Sequence, residues 1–196
     1  MQQTENYALN QWNPEDRILH TDFNADNAKI DAAIAGVRDA NCQIKLMHLT
    51  LEENTQEFDL DLSELDLTKF LSLTLYAFFK TGSQSSTVNI QCNHISDNSY
   101  SSEGSSRNTL GNISTHGENP SYSIVEFVLG PDALHTVSHI GSWQDNTKYY
   151  GGQGAPGYSI KLRPDELKSL NFLYTYPSEE DFLLAGSELW LYGRLK

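Results

Sequence analysis

Long apolar segments are absent from this sequence. The longest mainly apolar run, Phe70 to Phe79, has ten residues and is interrupted by Ser72 and Thr74, whereas a helix needs about 20 apolar residues to cross a bilayer. Residues 1–6 are neither basic nor apolar, so they do not have the pattern of a secretory signal. We therefore expect no membrane insertion and no signal-directed export.

Positive charge is also scarce. The chain has 13 lysine and arginine residues against 26 aspartate and glutamate residues, which gives a formal net charge of −13 at pH 7. A chain with this balance repels phosphate backbones, so we expect no nucleic-acid partner. Anionic membranes and anionic wall polymers are disfavoured for the same reason, unless a cation bridges the two surfaces. Uncharged sugars and protein surfaces remain as candidate partners.

Cysteine is rare, and the two that occur, Cys42 and Cys92, are fifty residues apart and belong to no CxxC pattern. A chain that carries no export signal stays in a reducing compartment, where disulfides seldom persist. We therefore predict two free thiols, both mostly buried, and no disulfide.

Motifs for metal binding and catalysis are incomplete. The segment 59–63 reads Asp-x-Asp-x-Ser, like the start of a calcium loop, but Glu64 replaces the glycine of that loop and Phe70 replaces its bidentate glutamate. His135 and His139 would lie about 13 Å apart along a strand, too far to share one metal ion. The sequence has no GxSxG turn and no recognisable cysteine nucleophile. We predict no metal, no cofactor and no enzymatic activity.

One segment near the N-terminus, 22–37, has the apolar spacing of a helix that packs through one stripe. Thr21 or Asp22 can cap its first turn. Apolar or small polar residues then recur at spacings of four, three, four and three, which is the seam of a heptad: Phe23, Asn27, Ile30, Ile34 and Val37. The stripe requires a partner, either copies of itself or the domain that follows. We favour a trimer, in which Asn27 can set register and oligomer number.

From residue 44 onward the apolar period changes from helical to strand-like. Short runs bounded by turn residues predict strands at 44–51, 58–62, 71–79, 88–95, 123–129, 134–143, 158–162, 170–176 and 188–192. Many short strands without intervening helices are typical of an antiparallel, jelly-roll-like β-sandwich. We therefore divide the chain into an N-terminal attachment and trimerisation segment, 1–43, and a β-sandwich domain, 44–196. Within that domain, 96–121 is rich in Ser, Asn and Gly and is predicted to be a long mobile loop or a projecting hairpin, and not a pair of core strands.

The clearest candidate binding residues lie near one turn. Trp143 and Asp145 precede Tyr149 and Tyr150, and aromatic faces beside amides and carboxylates are suited to sugars, because rings stack on C–H groups while polar groups bind hydroxyls. His139 lies on the same predicted strand as Trp143. We interpret these five residues as a candidate glycan-binding patch. The alternative is that Trp143 is part of the core and the tyrosines only line a turn.

Two terminal motifs resemble a known class of proteins. Residues 6–31 follow the pattern NYxLxxWxxxDxIxxxDFNxDNxKID, and residues 185–193 read AGSELWLYG. Both stretches are similar to those of tail-associated structural proteins of phages and prophages from Gram-positive bacteria. The resemblance implies that the N-terminal segment attaches or trimerises the protein and that the β-domain is displayed outward. It carries over no catalytic residue.

These features together predict a structural virion protein, made in the bacterial cytoplasm. We expect a trimeric tail-fibre, baseplate or receptor-binding component that contacts other virion proteins through its N-terminal segment and binds a host-surface glycan or protein. One alternative is a head fibre or capsid decoration protein. Another, from a different class, is a stand-alone carbohydrate-binding module or glycan hydrolase.

Overall fold

The computed structural model describes residues 2–17, 19–39, 43–82, 85–102, 105–116, 119–144, 149–153, 157–175 and 182–196. For 38–39, 85, 116, 138–144 and 149–153 the description is of the backbone alone. The chain forms two compact units, Met1–Cys42 and Gln43–Lys196. Their boundary lies one residue from the division between 43 and 44 that the sequence pattern predicts. Cys42 lies outside the described residues.

The N-terminal unit consists of a small strand pair and one helix. Strand β1 (Gln2–Gln3) pairs antiparallel with β2 (Asn10–Gln11), and helix α1 spans His20–Asp39. The predicted helix at 22–37 is confirmed and is longer by two residues at each end. Because α1 begins at His20, Thr21 and Asp22 lie within its first turn. Neither is therefore the N-cap residue that the sequence pattern predicts. Twenty residues make a helix about 30 Å long.

Two charged side chains of α1 hold the segment that precedes it. Asp26 accepts a hydrogen bond from the backbone N–H of Asn10 at 2.9 Å, and Lys29 donates one to the carbonyl of Ala8. Asp26 and Lys29 also pair with each other at 3.3 Å. Ala8 has a φ of 52°, so the chain turns at the point where Lys29 holds it. These contacts occupy one side of the helix and leave its heptad seam uncovered by the segment.

The second unit is an antiparallel β-sandwich. Its strands, numbered after β1 and β2, are β3 (Gln43–Thr50), β4 (Glu57–Asp61), β5 (Phe70–Phe79), β6 (Ser85–Cys92), β7 (Tyr100–Ser102), β8 (Ser105–Arg107), β9 (Gly111–His116), β10 (Ser121–Leu129), β11 (Leu134–Gln144), β12 (Tyr149–Gln153), β13 (Tyr158–Ile160), β14 (Ser169–Thr175) and β15 (Glu188–Leu195). A 3₁₀ helix, Leu67–Lys69, precedes β5. The nine strands that the sequence pattern predicts all occur, so the predicted fold class is confirmed.

The strands form two sheets. The larger has the order β3-β15-β5-β10-β11-β13-β7-β8, with β12 paired to β11, and the smaller has the order β4-β14-β6-β9. Alternation of apolar residues along β5 and β10 points one face of the larger sheet inward, where Leu73, Leu75 and Phe127 are buried. The two sheets meet through aromatic contacts as well. Phe58 of β4 stacks on Phe172 at 4.7 Å and meets Phe79 of β5 edge-on at 6.3 Å.

The predicted loop at 96–121 is wrong. The segment contains β7, β8 and β9, and its few apolar residues enter the core: Tyr100, Leu110 and Ile113 are all buried. Hydrogen bonds from hydroxyl groups help to hold these short strands rich in serine and threonine. Thr109, for example, donates to the carbonyl of Ile90 at 2.8 Å. Low apolar content therefore did not prevent this segment from joining both sheets.

Cys92, at the end of β6, is a free and fully buried cysteine. Its burial raises the pKa of its thiol far above the usual range, because a thiolate is poorly solvated in the core. Tyr100 accepts a hydrogen bond from the N–H of Cys92 at 2.8 Å and donates one to the carbonyl of Ile95 at 2.9 Å. The prediction of a free, buried thiol is confirmed for Cys92.

Candidate functional site

The outer face of the larger sheet carries a cluster of aromatic side chains. Along β5, β10 and β15 the residues that alternate with the core positions point away from the smaller sheet. Many of these positions hold aromatic residues, and together with Gln43 of β3 they line one depression, here called the aromatic groove: Tyr76, Phe78, Tyr122, Trp190 and Tyr192.

Strand register brings these residues together although they are far apart in sequence. Trp190 lies opposite Tyr76, and Phe78 lies opposite Tyr122. The rings of Phe78 and Tyr122 are 4.9 Å apart and tilted by 40°, while those of Tyr76 and Tyr192 are 5.5 Å apart and nearly perpendicular. Such edge and tilted contacts hold aromatic rings in defined orientations. The groove is therefore a pre-shaped surface.

The groove has a volume of about 720 Å³, which lies within the range of about 300–1,000 Å³ that small-molecule sites occupy. Gln43 also lines the groove, and its side-chain N–H donates to the hydroxyl of Thr74 at 2.9 Å, which fixes the amide. Tyr122 is the most open of the aromatic residues, with 52% of its surface exposed. The other four rings are partly buried and present only part of their surface.

The residues that line the groove, all of them described, are uncharged at neutral pH. Charged and titratable groups lie beside it, each in contact with a neighbouring side chain. His48 stacks on Trp190 with ring centroids 5.1 Å apart and approaches Glu188 at 3.0 Å. The Lys80 ammonium lies 5.5 Å from the centre of the Phe78 ring, within reach of a cation–π interaction. The groove can therefore offer ring faces, hydroxyls and an amide to an uncharged ligand.

The glycan patch predicted at 139–150 lies mainly on the hairpin formed by β11 and β12. In the backbone register Trp143 lies opposite Tyr150, and Gln144 lies opposite Tyr149. Asp145 lies outside the described residues. The structure thus brings the backbones of Trp143, Tyr149 and Tyr150 together at one end of the larger sheet, and His139 occurs four residues earlier in β11.

A β-bulge interrupts β11, because its pairing with β10 shifts at Val137. Before the bulge His135 lies opposite exposed Val128, and after it His139 lies opposite buried Val125. The extra residue therefore offsets the backbone register of β11 by one residue beyond Val137.

The residues of the predicted heptad seam are exposed on α1. The exposed fractions are 58% for Phe23, 42% for Ile30, 65% for Ile34 and 60% for Val37, and Asn27 between them is also exposed. Asp26 and Lys29, which bind the preceding segment, are more buried than the seam residues, and Asp26 lies along one edge of the seam, three residues after Phe23 and four before Ile30. The N-terminal unit therefore presents an apolar stripe about four turns long.

A second polar cluster lies at the end of β6. The His94 imidazole pairs with Asp59 at 2.9 Å, and the buried amide of Asn171 donates to Asp59 at 2.8 Å and accepts from the N–H of His94 at 2.6 Å. Asn93 and His94 both have positive φ values. Ser169 also forms hydrogen bonds with the side chain of Asn171. The cluster fixes a strained turn.

The segment that resembles a calcium loop has other partners. Asp59 is engaged with His94 and Asn171, and Asp61 accepts from the N–H of Ser63 at 2.9 Å. Hydrogen bonds from Ser63 lower the pKa of Asp61. Within the ranges that the structure describes, no group of three or more metal-ligating side chains occurs. No helix in those ranges is long and apolar enough to span a membrane.

Sequence reasoning missed the aromatic groove, although a signal for it was present. Tyr76 and Phe78 alternate with core residues in β5, and Trp190 and Tyr192 do so in β15. Aromatic residues at the outward positions of a strand mark an outer face that is not purely polar. What the sequence could not supply was the adjacency of β15, β5 and β10, which come from distant parts of the chain.

No protein-family model and no curated protein sequence matches this chain. Among solved structures, the chain is similar to peanut lectin with a nine-residue peptide, at 8% sequence identity and a TM-score of 0.34. The aligned region covers 79% of this chain and 87% of that chain.

Proposed function

We propose that this chain is a structural, non-enzymatic component of a phage-type particle, which assembles as a homotrimer through α1 and binds a host-surface glycan. The observation that carries the proposal is the exposed apolar stripe of α1, at Phe23, Ile30, Ile34 and Val37. The resemblance of residues 6–31 to tail-associated phage proteins supports the same role.

The stripe has a physical reason to self-associate. Complete burial of a large apolar side chain is worth about 1.5–3 kcal/mol, and the stripe holds four of them in one row. Parallel copies of one helix bury this row at a common axis. Asn27 lies within the row, where an amide costs stability but favours one register and one oligomer number.

Attachment to the particle belongs to the same unit. The hydrogen bond that Asp26 accepts from Asn10 and the one that Lys29 donates to Ala8 hold the preceding segment against α1. An ordered N-terminal segment on a trimeric helix bundle is suited to contact other virion proteins. The sandwich then carries the surface that meets the host.

The decisive measurement is the mass in solution by light scattering. The chain has a mass of 22.0 kDa, and we expect three times that value. Ile30→Asp together with Ile34→Asp should give the monomer mass with unchanged β-sheet signal in circular dichroism, because buried carboxylates in the seam cost several kcal/mol each.

Ala28→Asp together with Ala32→Asp is the matched control. It adds the same two charges at the same spacing, at exposed positions on the opposite side of α1, and should leave the trimer intact. A monomeric wild type contradicts the trimer. A seam variant that stays trimeric shows that the sandwich carries the interface instead.

A free-standing carbohydrate-binding module is the second candidate, and the aromatic groove is the observation that favours it. Such a module has no need of an oligomer, so a wild-type mass of 22.0 kDa combined with sugar binding would favour this candidate. Immunogold labelling of particles released by lysis tests the virion role directly. A label on the tail or on the head separates a tail component from a head fibre or decoration protein.

A further inference from the structure

We infer that the aromatic groove is a binding site for an uncharged sugar ring. The inference rests on the proposed surface-binding role and names a site distinct from the hairpin patch at Trp143 and Tyr150. The occupant is one or more hexose or N-acetylhexosamine units of a host-surface glycan.

The lining of the groove has a shape suited to a sugar ring. The rings of Tyr76, Phe78 and Trp190 come from two neighbouring strands and form part of one open depression. A pyranose ring has apolar C–H faces that pack against aromatic faces. The edge-on contact of Tyr76 with Tyr192 and the stacking of His48 on Trp190 hold the rings in place before a ligand arrives. Little ordering entropy then opposes binding.

Polar groups lie among the rings of the groove. Tyr76, Tyr122 and Tyr192 each have a hydroxyl, Trp190 has an indole N–H, and Gln43 has an amide. These groups both donate and accept hydrogen bonds, as sugar hydroxyls do. A purely apolar ligand such as an acyl chain would leave them without partners, at a cost for each group that loses water. The mixture of ring faces and polar tips therefore favours a sugar over a lipid.

The charge of the chain also bears on the ligand. The lining holds no charged residue, and the whole chain has a formal net charge of −13. The net negative charge disfavours sialylated, phosphorylated or sulfated sugars, and no charged side chain in the lining offsets it. An uncharged sugar experiences none of this repulsion.

A second copy of the chain fits the groove less well. The lining consists of nine residues, and most of the aromatic surface is already partly buried in the sheet. A stable protein interface uses about 20–30 residues on each side. A ligand of a few sugar rings matches the size of the site.

The test is binding of the full chain to an array of uncharged hexose and N-acetylhexosamine oligosaccharides, with sialylated and phosphorylated glycans as anionic probes. Affinity for the best uncharged oligosaccharide is then measured by calorimetry. Tyr122→Ala and Trp190→Ala should each weaken binding tenfold or more. Tyr122→Phe removes only one hydroxyl and should weaken it less.

Two further variants locate the site. Val137→Ala removes an exposed side chain of the neighbouring strand β11 and is the control that should bind like wild type. Trp143→Ala tests the hairpin patch, and the groove inference expects it to weaken binding less than Tyr122→Ala does. Tryptophan fluorescence adds an independent readout, because a ligand in the groove should change the emission of Trp190 and the change should disappear in Trp190→Phe.

Four outcomes would contradict the groove inference. Loss of binding in Trp143→Ala but not in Tyr122→Ala places the sugar on the hairpin and overturns the groove inference alone. Absence of any bound uncharged glycan, with the trimer mass intact, overturns glycan binding while the structural role stands. Preference for anionic glycans, or dissociation of the oligomer by Tyr122→Ala, also contradicts the inference. Circular dichroism and thermal melting establish that each variant is folded.

Discussion

At the scale of single residues, Gly193 shows how closely the larger sheet is packed. It lies in β15 opposite Leu73 of β5, and a Cβ atom at this position would lie 2.5 Å from the Phe70 ring and 2.9 Å from a methyl of Leu46. Those distances are shorter than real contacts allow. The absence of a side chain at Gly193 therefore permits Phe70 to pack against the strand on the core side of the sheet.

We predict that Gly193→Ala lowers the free energy of unfolding by about 1–3 kcal/mol, the usual cost of overpacking. Gly36→Ala should instead raise the free energy of unfolding, by about 0.8–1.0 kcal/mol. A Cβ at position 36 meets nothing within 4 Å, and alanine is favoured over glycine inside a helix by that amount. Urea unfolding of both variants measures the two effects. A Gly193→Ala variant as stable as wild type would show that Phe70 can move aside freely.

At the scale of elements, the spacing of apolar residues alone predicts the helix and the long strands, but it does not predict the short strands β7, β8 and β9. In 100–116 the buried residues are isolated among serine, asparagine and glycine, so no run of apolar residues marks β7, β8 or β9. These strands are held by pairing and by hydroxyl groups such as that of Thr136, which donates to the carbonyl of Leu110 at 2.8 Å. Such contacts join segments that are far apart in sequence and leave no local pattern.

A substitution in β9 tests this account. Ile113 is fully buried between the sheets, so Ile113→Ala should lower the free energy of unfolding by about 2–5 kcal/mol. Arg107→Ala in β8 changes an exposed residue of the same segment and should change stability by no more than about 0.5 kcal/mol. Denaturant unfolding distinguishes the two. Equal, small effects would mean that the segment is a loop, as its composition indicates.

At the scale of the whole molecule, valence decides whether a shallow groove can hold the protein on a surface. A single site for one or two sugar rings binds in the millimolar range, equivalent to about 4 kcal/mol. Three linked copies can raise the apparent affinity by about 10²-fold or more without any new contact. The apolar stripe of α1 and the aromatic groove therefore serve one function under the two proposals.

The seam variant separates valence from site affinity. Ile30→Asp with Ile34→Asp should keep the affinity of wild type for a soluble monovalent oligosaccharide in calorimetry, because the groove is unchanged. Its binding to beads or cells that display many copies of the same glycan should fall by about 10²-fold. Ala28→Asp with Ala32→Asp should retain both kinds of binding. If the seam variant binds beads as well as wild type does, surface attachment does not depend on the trimer.

The sequence by itself determined the class of fold, the helix and its apolar stripe. The reason is that heptad spacing and strand alternation are local patterns, readable at Phe23 to Val37 and again at Phe70 to Phe79. The apolar residues at the predicted heptad spacing all lie on α1, and their side chains are exposed.

Only the tertiary structure decided which strands are neighbours, and with that which side chains share a face. Tyr76, Tyr122 and Trp190 meet because β5 lies between β10 and β15, an order that depends on long-range backbone pairing and core packing. The bulge at Val137, which offsets the backbone register of β11 by one residue, likewise depends on the pairing with β10. Hydrogen bonds between distant strands create both features, and no local period in the chain encodes them.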